Sequence, residues 1–132
     1  MSQAMFDFLG FKLTGVKYIN TGEKDNTYIS IDILDDEYTN DNIYSILVKI
    51  GTDFDKTEDY FIFEAAFAIK NKNWFLKLSE SEKKYIFLNV VFPFIREKVF
   101  SITSDINQGL LIPVIDLKEF DLSKVIKLVK NN

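Results

Sequence analysis

The sequence predicts an α+β fold: a four-stranded antiparallel β-meander followed by two helices. Three observations carry this expectation. Apolar residues alternate with polar ones at period two through most of residues 6–69. A capping-box pair, Ser79 and Glu82, then opens a stretch whose apolar residues recur every three or four positions. With 132 residues and no composition break, residues 1–132 read as a single domain, long enough to bury a core without metal or disulfide staples.

The first segment, Phe6 to Asn20, is extended. Leu9, Phe11 and Leu13 share a face, and Val16 and Tyr18 change parity after it. Gly10 and Gly15 accompany the change, and a glycine at a parity switch marks a bulge or bend. "NTGEKDN" (20–26) is a turn cluster. In "YISIDIL" the residues Ile29, Ile31 and Ile33 form one face of a half-buried strand. "DDEYTND" connects to a third strand, with Tyr44, Ile46, Val48 and Ile50 on one side. After an acid-rich loop at 51–59, Phe61, Phe63, Ala65, Phe67 and Ile69 line one face of a fourth. Short polar loops between successive strands give a meander most simply.

The first helix carries the stripe Leu88, Phe92, Ile95, Val99, Ile102 and Ile106, with Pro93 expected to kink it. A second row, Phe87, Val91 and Phe94, lies off that stripe. A helix apolar on two sides needs two covers. The sheet supplies one, and a second subunit or a ligand is expected to supply the other. Beyond an extended exit, Asp116 with Glu119 three residues on predicts the start of a second helix over Leu117–Lys130, with Leu122, Val125, Ile126 and Val129 on one face.

Composition narrows the function. A net charge of −4 and a pI near 4.8 disfavour nucleic-acid binding, which needs a basic surface. Neither histidine nor cysteine occurs. That removes the commonest general base, thiolate nucleophiles and the usual zinc ligands, so no metal or cofactor is expected. The adjacent carboxylates Asp35–Asp36 and Glu58–Asp59 are a poor basis for catalysis, because neighbours on a strand point to opposite sides. The chain is not expected to be an enzyme. The opening residues do not read as a signal peptide, no apolar run is long enough for a membrane span, and a cytoplasmic protein is expected. Thirteen Phe, six Tyr and one Trp leave two readings for the aromatic surplus: a Phe-rich core, or an interface or binding groove.

Residues 87–120 resemble the SecB family of protein-export chaperones. The matching words are Phe92-Pro93-Phe94-Ile95-Arg96-Glu97, then Leu111-Ile112-Pro113-Val114, then Phe120. Upstream, Ile29-x-Ile31-x-Ile33 is similar to the family's second strand and Phe61-Ile62-Phe63-Glu64 to its fourth. The resemblance implies a dimer of dimers, with the first helices between sheets, that holds unfolded polypeptide or preprotein clients in apolar grooves without ATP. It implies client contacts at Ile29, Ile31, Ile33 and Phe120, and contact with a SecA-type ATPase at Ile62 and Glu64. Phe87, Val91, Phe94, Arg96 and Glu97 fall at the expected subunit interface. The family's tryptophan before the second strand is replaced by "KDNTY" here, and its R-G-x-F turn after the first helix is missing. The first strand also lacks convincing counterparts to the acidic residues that help SecB dock on SecA. A SecB-like module dedicated to one partner, such as a toxin–antitoxin or mobile-element protein, is the alternative. A cavity-type binder of lipids or small molecules is a third.

Overall fold

The computed structural model describes residues 4–18, 27–54, 57–104, 112, 116–122, 124 and 126–130, with only the backbone described at 27–30, 52–54, 57–58 and 127–130. Its elements are β1 (Phe6–Lys17), β2 (Thr27–Tyr38), β3 (Ile43–Phe54), β4 (Thr57–Ile69), α1 (Lys72–Leu76), α2 (Glu80–Ser104), a 3-10 turn (Leu117–Glu119) and β5 (Ile126–Lys130). All strand pairs are antiparallel, in the order β1-β4-β3-β2-β5.

The meander is therefore β2-β3-β4, and β1 lies beside β4 rather than beside its sequence neighbour β2. Spatial order 1-4-3-2 is a Greek-key arrangement. The connection that crosses between β1 and β2 falls at 19–26, outside the described residues.

The period-two faces are as expected in the central strands. Tyr44, Ile46, Val48 and Ile50 of β3 and Phe61, Phe63, Ala65, Phe67 and Ile69 of β4 are buried, and Ile31 of β2 joins them. In β1 the register shifts between Phe8 and Gly10 and again between Leu13 and Gly15, as the glycines predicted. Gly10 has φ +135, a conformation that side-chain-bearing residues rarely adopt. The first shift puts Phe6 and Phe8 on the core face with Phe11 and Leu13, and leaves Leu9 exposed instead of sharing their face.

Two loops are shorter than the polar composition implied. Residues 51–54 and 57–59 are paired strand, with Thr52 opposite Asp59 and Phe54 opposite Thr57. Between β2 and β3 the chain reverses over Thr39–Asn42. There the Asn42 N–H donates to the Thr39 carbonyl at 3.2 Å, and Asn42 takes φ 62, a left-handed conformation that asparagine tolerates.

Helix α2 starts at the predicted capping box. The Glu82 N–H donates to Ser79 Oγ at 3.1 Å, and the Ser79 N–H donates to Glu82 Oε1 at 2.9 Å. The bond from the Ser79 N–H, and then the Ser79 hydroxyl, hold the Glu82 carboxyl below the usual carboxylate range. The helix continues through Pro93, which is exposed. Asn89, whose carbonyl would have accepted the missing N–H, is exposed as well.

The core-facing side of α2 is Phe87, Leu88, Val91, Phe92, Ile95 and Val99, all buried within this one chain. Phe87 lies in a dense ring cluster, with centroids 4.7 Å from Tyr44 and Phe67 and 4.9 Å from Phe6. Phe75 of α1 closes the cluster at 5.1 Å from Tyr44 and 6.1 Å from Phe87. A large part of the aromatic surplus is thus core. The Tyr44 hydroxyl escapes by donating to Asp36 Oδ2 at 3.2 Å. Burial, and then the Asp36 carboxylate, push the Tyr44 phenol well above its ordinary value.

The expected second helix is not formed. Asp116 does cap, accepting from the Lys118 N–H at 3.0 Å, but the helix it opens is a single 3-10 turn. Ile126–Lys130 instead pairs with β2, with Ile126 opposite Ile31 and Lys130 opposite Thr27. Ile126 and Leu128, with Lys127 between them, fit period two, although Leu122, Val125, Ile126 and Val129 have helical spacing. Val125, Ile126 and Val129 are β-branched, which favours the strand, and β2 offers an edge to receive it.

Candidate functional site

Three surfaces bring together the residues singled out from the sequence. The first is the outer side of α2. Phe94 remains 45% exposed and Phe100 42% exposed. The rings of Phe8 and Phe11 reach Phe94 from β1 at 5.4 and 6.0 Å. They also touch the core, at 5.3 Å from Phe67 and 5.9 Å from Phe63. The result is an aromatic path from the core to the surface that ends at the exposed Phe94. Further along the helix, Pro93, Arg96, Glu97, Phe100 and Ile112 line an open depression of about 320 Å³. Arg96 Nε donates to the Ile112 carbonyl at 2.9 Å. This bond ties the exit segment to α2, the anchoring role expected of an arginine among apolar neighbours.

Of the expected interface residues, Phe94 and Glu97 are exposed and Arg96 is half-buried. Phe87 and Val91 are not available to a second subunit, because the chain's own sheet and α1 cover them completely. The row off the main stripe is core at its beginning and surface only at Phe94.

The second surface is the β2–β5 side. Ile31 is 1% exposed and sits opposite Ile126, itself buried. Ile33 and Phe120 are half-buried against the core. Ile29 pairs through its backbone with Thr52 and Leu128, and its side chain lies outside what is described. The C-terminal strand therefore pairs along the stretch of β2 that holds Ile29 and Ile31, which was expected to line an open groove.

The third is the outer face of the sheet. Ile62 and Glu64 share it, as their spacing requires. Lys12 Nζ stands 3.8 Å from Glu64 Oε1, a surface pair of small energetic weight. Gly15 is the register partner of Ile62, and a Cβ on it would meet the Ile62 side chain at 3.5 Å. The Thr14 hydroxyl donates to the Ile62 carbonyl at 3.2 Å. The half-buried Leu47 and Ala66 extend this face.

No protein-family model matches the chain, and no curated protein matches it. Among solved structures, it is similar to the Rv1957 SecB-like chaperone of Mycobacterium tuberculosis, solved in complex with a ChAD peptide from the Rv1956 HigA1 antitoxin. The match has 13% identity and a TM-score of 0.63, over 85% of this chain and 91% of that one. The chain has the SecB-like fold. A protein of unknown function from Streptococcus agalactiae also overlaps, with 8% identity over 84% of this chain and 94% of that one. Its TM-score of 0.34 carries no argument.

Within the SecB-like fold, the antiparallel sheet and the long helix after it stand as expected. The differences lie at the C-terminus and in β1. Sequence reading missed Phe8, Phe11, Leu9 and Phe100 as surface candidates. A signal existed for Phe100: on the helix wheel it lies about 100° past Val99, on the side of the stripe away from the buried Phe87 and Val91. None existed for Phe8 and Phe11, because their half-exposure depends on β1 being the edge of the sheet. Among the described residues no group of three or more acidic side chains could hold a metal ion, and no helix is long and apolar enough to cross a membrane.

Proposed function

We propose that this chain is an ATP-independent holdase, a cytoplasmic chaperone that keeps unfolded or preprotein clients from aggregating. The observation that carries this reading is the exposed Phe94, backed by the half-buried Phe8 and Phe11, together with the exposed Phe100 on another side of α2, all mounted on the packed core rather than on loops. Such a surface gains affinity from apolar area, at about 25 cal/mol per Å² before ordering costs, and so reads composition more than sequence. The peptide held by the Mycobacterium tuberculosis neighbour supports a polypeptide ligand. Of the expected interface residues, Arg96 and Glu97 are the proposed contacts of a homotetramer built as a dimer of dimers, and Phe94 is assigned to the client surface instead. Ile62 and Glu64, on the outer sheet face, are the proposed contact for a protein partner, of which an export ATPase is one. Neither catalysis nor a cofactor enters this mechanism.

Client holding is tested by diluting a chemically unfolded, unrelated protein into buffer with rising amounts of this chain and no ATP, and following light scattering. Suppression near one tetramer per client is the expected result. No suppression at large excess overturns the general holdase and leaves the dedicated module, in which the same surface serves one partner only. Sedimentation of the purified chain at micromolar concentration tests the tetramer directly.

A further inference from the structure

The edge of β2 is only partly used. The strand runs from Thr27 to Tyr38, and β5 pairs with it only at Thr27–Ile31. Among the described residues, positions 32–38 have β3 on one side and no ladder partner on the other. A strand edge without a ladder partner presents a row of N–H and C=O groups that is a template for an added strand.

The chain itself displays the kind of segment that fits. β5 reads IKLVK, apolar and basic residues in near alternation, and it is short and, among the described residues, joined to the sheet on one side only. Its described anchor is Ile126, buried opposite Ile31. Short edge strands held by few contacts are among the elements that open most readily.

The unfilled part of the edge continues the same preference. Asp35 and Glu37 are exposed there, and their register partners on β3 are the uncharged Leu47 and Ser45. Leu34 between β5 and these acids is exposed as well. Asp32 is already opposite Lys49, and Asp36 already accepts from Tyr44, so Asp35 and Glu37 are the charges left for an incoming strand. Acids along an edge repel acidic strands and favour basic ones.

We propose that the edge of β2 takes an extended polypeptide of alternating apolar and basic residues as an added strand, and that β5 is the chain's own occupant of part of that site. An incoming segment pairs first along residues 32–38 and then displaces β5 from 27–31. The proposal rests on the polypeptide-binding reading above and supplies the chemistry of the ligand and the element that gives way.

A reversible lock tests it in the full-length chain. Ser30 and Lys127 are register partners, and antiparallel partners lie at Cα distances of about 4.5–5.5 Å, within the range that a disulfide bridges. The chain has no cysteine of its own, so S30C with K127C gives one defined bond. The probe is a fluorescently labelled twelve-residue peptide of alternating valine and lysine, with a valine–glutamate peptide as control. The reduced protein is expected to bind the basic peptide at least tenfold more tightly than the oxidised protein, and at least tenfold more tightly than the control. Amides of β5 are expected to exchange faster, and those of 32–38 more slowly, when the basic peptide binds. D35K with E37K, on exposed side chains, is expected to abolish the preference for the basic peptide without loss of folding. Equal binding by the reduced and oxidised forms, or unchanged exchange in β5, overturns the proposal. Equal peptide binding by the two forms together with undiminished aggregation suppression in the oxidised form overturns the edge proposal while leaving client holding on the α2 surface intact. Loss of both activities in the reduced protein overturns both readings.

Discussion

Phe87 and Phe94 lie about two turns apart on one helix and belong to the same apolar row, yet they meet opposite surroundings. Phe87 is fully enclosed by Phe6, Tyr44, Phe67, Phe75 and Trp74. Phe94 has only Phe8 and Phe11 beside it and stays 45% exposed. The difference is the sheet. Phe87 stacks over β3 and β4, the central strands, with α1 closing the far side. Phe94 reaches past β4 to β1, which is an edge, and among the described residues no strand lies beyond it. Identical residues thus supply cohesion at one end of the row and an exposed apolar surface at the other.

This contrast can be broken from either side. Phe87→Ala opens a cavity in the ring cluster and is expected to cost about 3–5 kcal/mol, enough to threaten the fold of a small domain. Urea denaturation measures the loss. A cost below about 1 kcal/mol would mean that the cluster repacks and is not the stabilising centre.

The Tyr44 hydroxyl ties the enclosed cluster to β2. Tyr44→Phe is expected to cost about 1–2 kcal/mol at neutral pH, through the lost bond to Asp36. Because the folded-state value of Tyr44 is raised, its contribution is complete below the unfolded value of about 10 and is lost as pH rises beyond it. The wild-type chain should therefore lose stability in alkaline denaturation series from about pH 10 upward, and Tyr44→Phe should lose less over the same interval.

A smaller effect is expected at the start of α2. Ser79→Ala removes one half of the capping box and should cost about 1 kcal/mol. The Glu82 carboxyl is depressed, so its contribution is present above the unfolded carboxylate value of about 4.3 and is lost as pH falls through its lower folded value. Glu82→Gln should flatten that part of the acid denaturation profile. An unaltered profile would show that the capping carboxylate is not coupled to folding.

Phe94→Ala should change stability least, by under about 1 kcal/mol, since much of the ring is already in water. Its expected effect is on client holding, with a several-fold higher protein concentration needed to suppress aggregation. Unchanged suppression would separate the aromatic surface from the proposed function and leave the strand edge to carry it.

Much of the sheet was legible from the chain. The buried faces of β3 and β4 follow from strict alternation, and Ser79 with Glu82 located the start of α2 because both capping bonds are made within a single turn. The site was less legible. Ile31 looked like a groove residue because an apolar strand face has the same pattern whether it is covered or open. Phe87 and Val91 looked like interface residues because a stripe on the helix wheel does not reveal how wide a sheet it will meet. The segment 117–130 reads as helix because Leu122, Val125, Ile126 and Val129 keep helical spacing, and only the pairing of Ile126–Lys130 with β2 makes that end a strand.

By itself, then, the sequence determined the features set by neighbours along the chain: the strand periodicities, the glycine bulges of β1, the helix cap and the acidic, cysteine-free character of the molecule. Only the tertiary structure decided that β1 lies against β4, that the C-terminus becomes β5, and that Phe94 is open while Phe87 is closed. These choices depend on contacts between residues far apart in sequence, where the free energy of covering one surface rather than another outweighs local propensity.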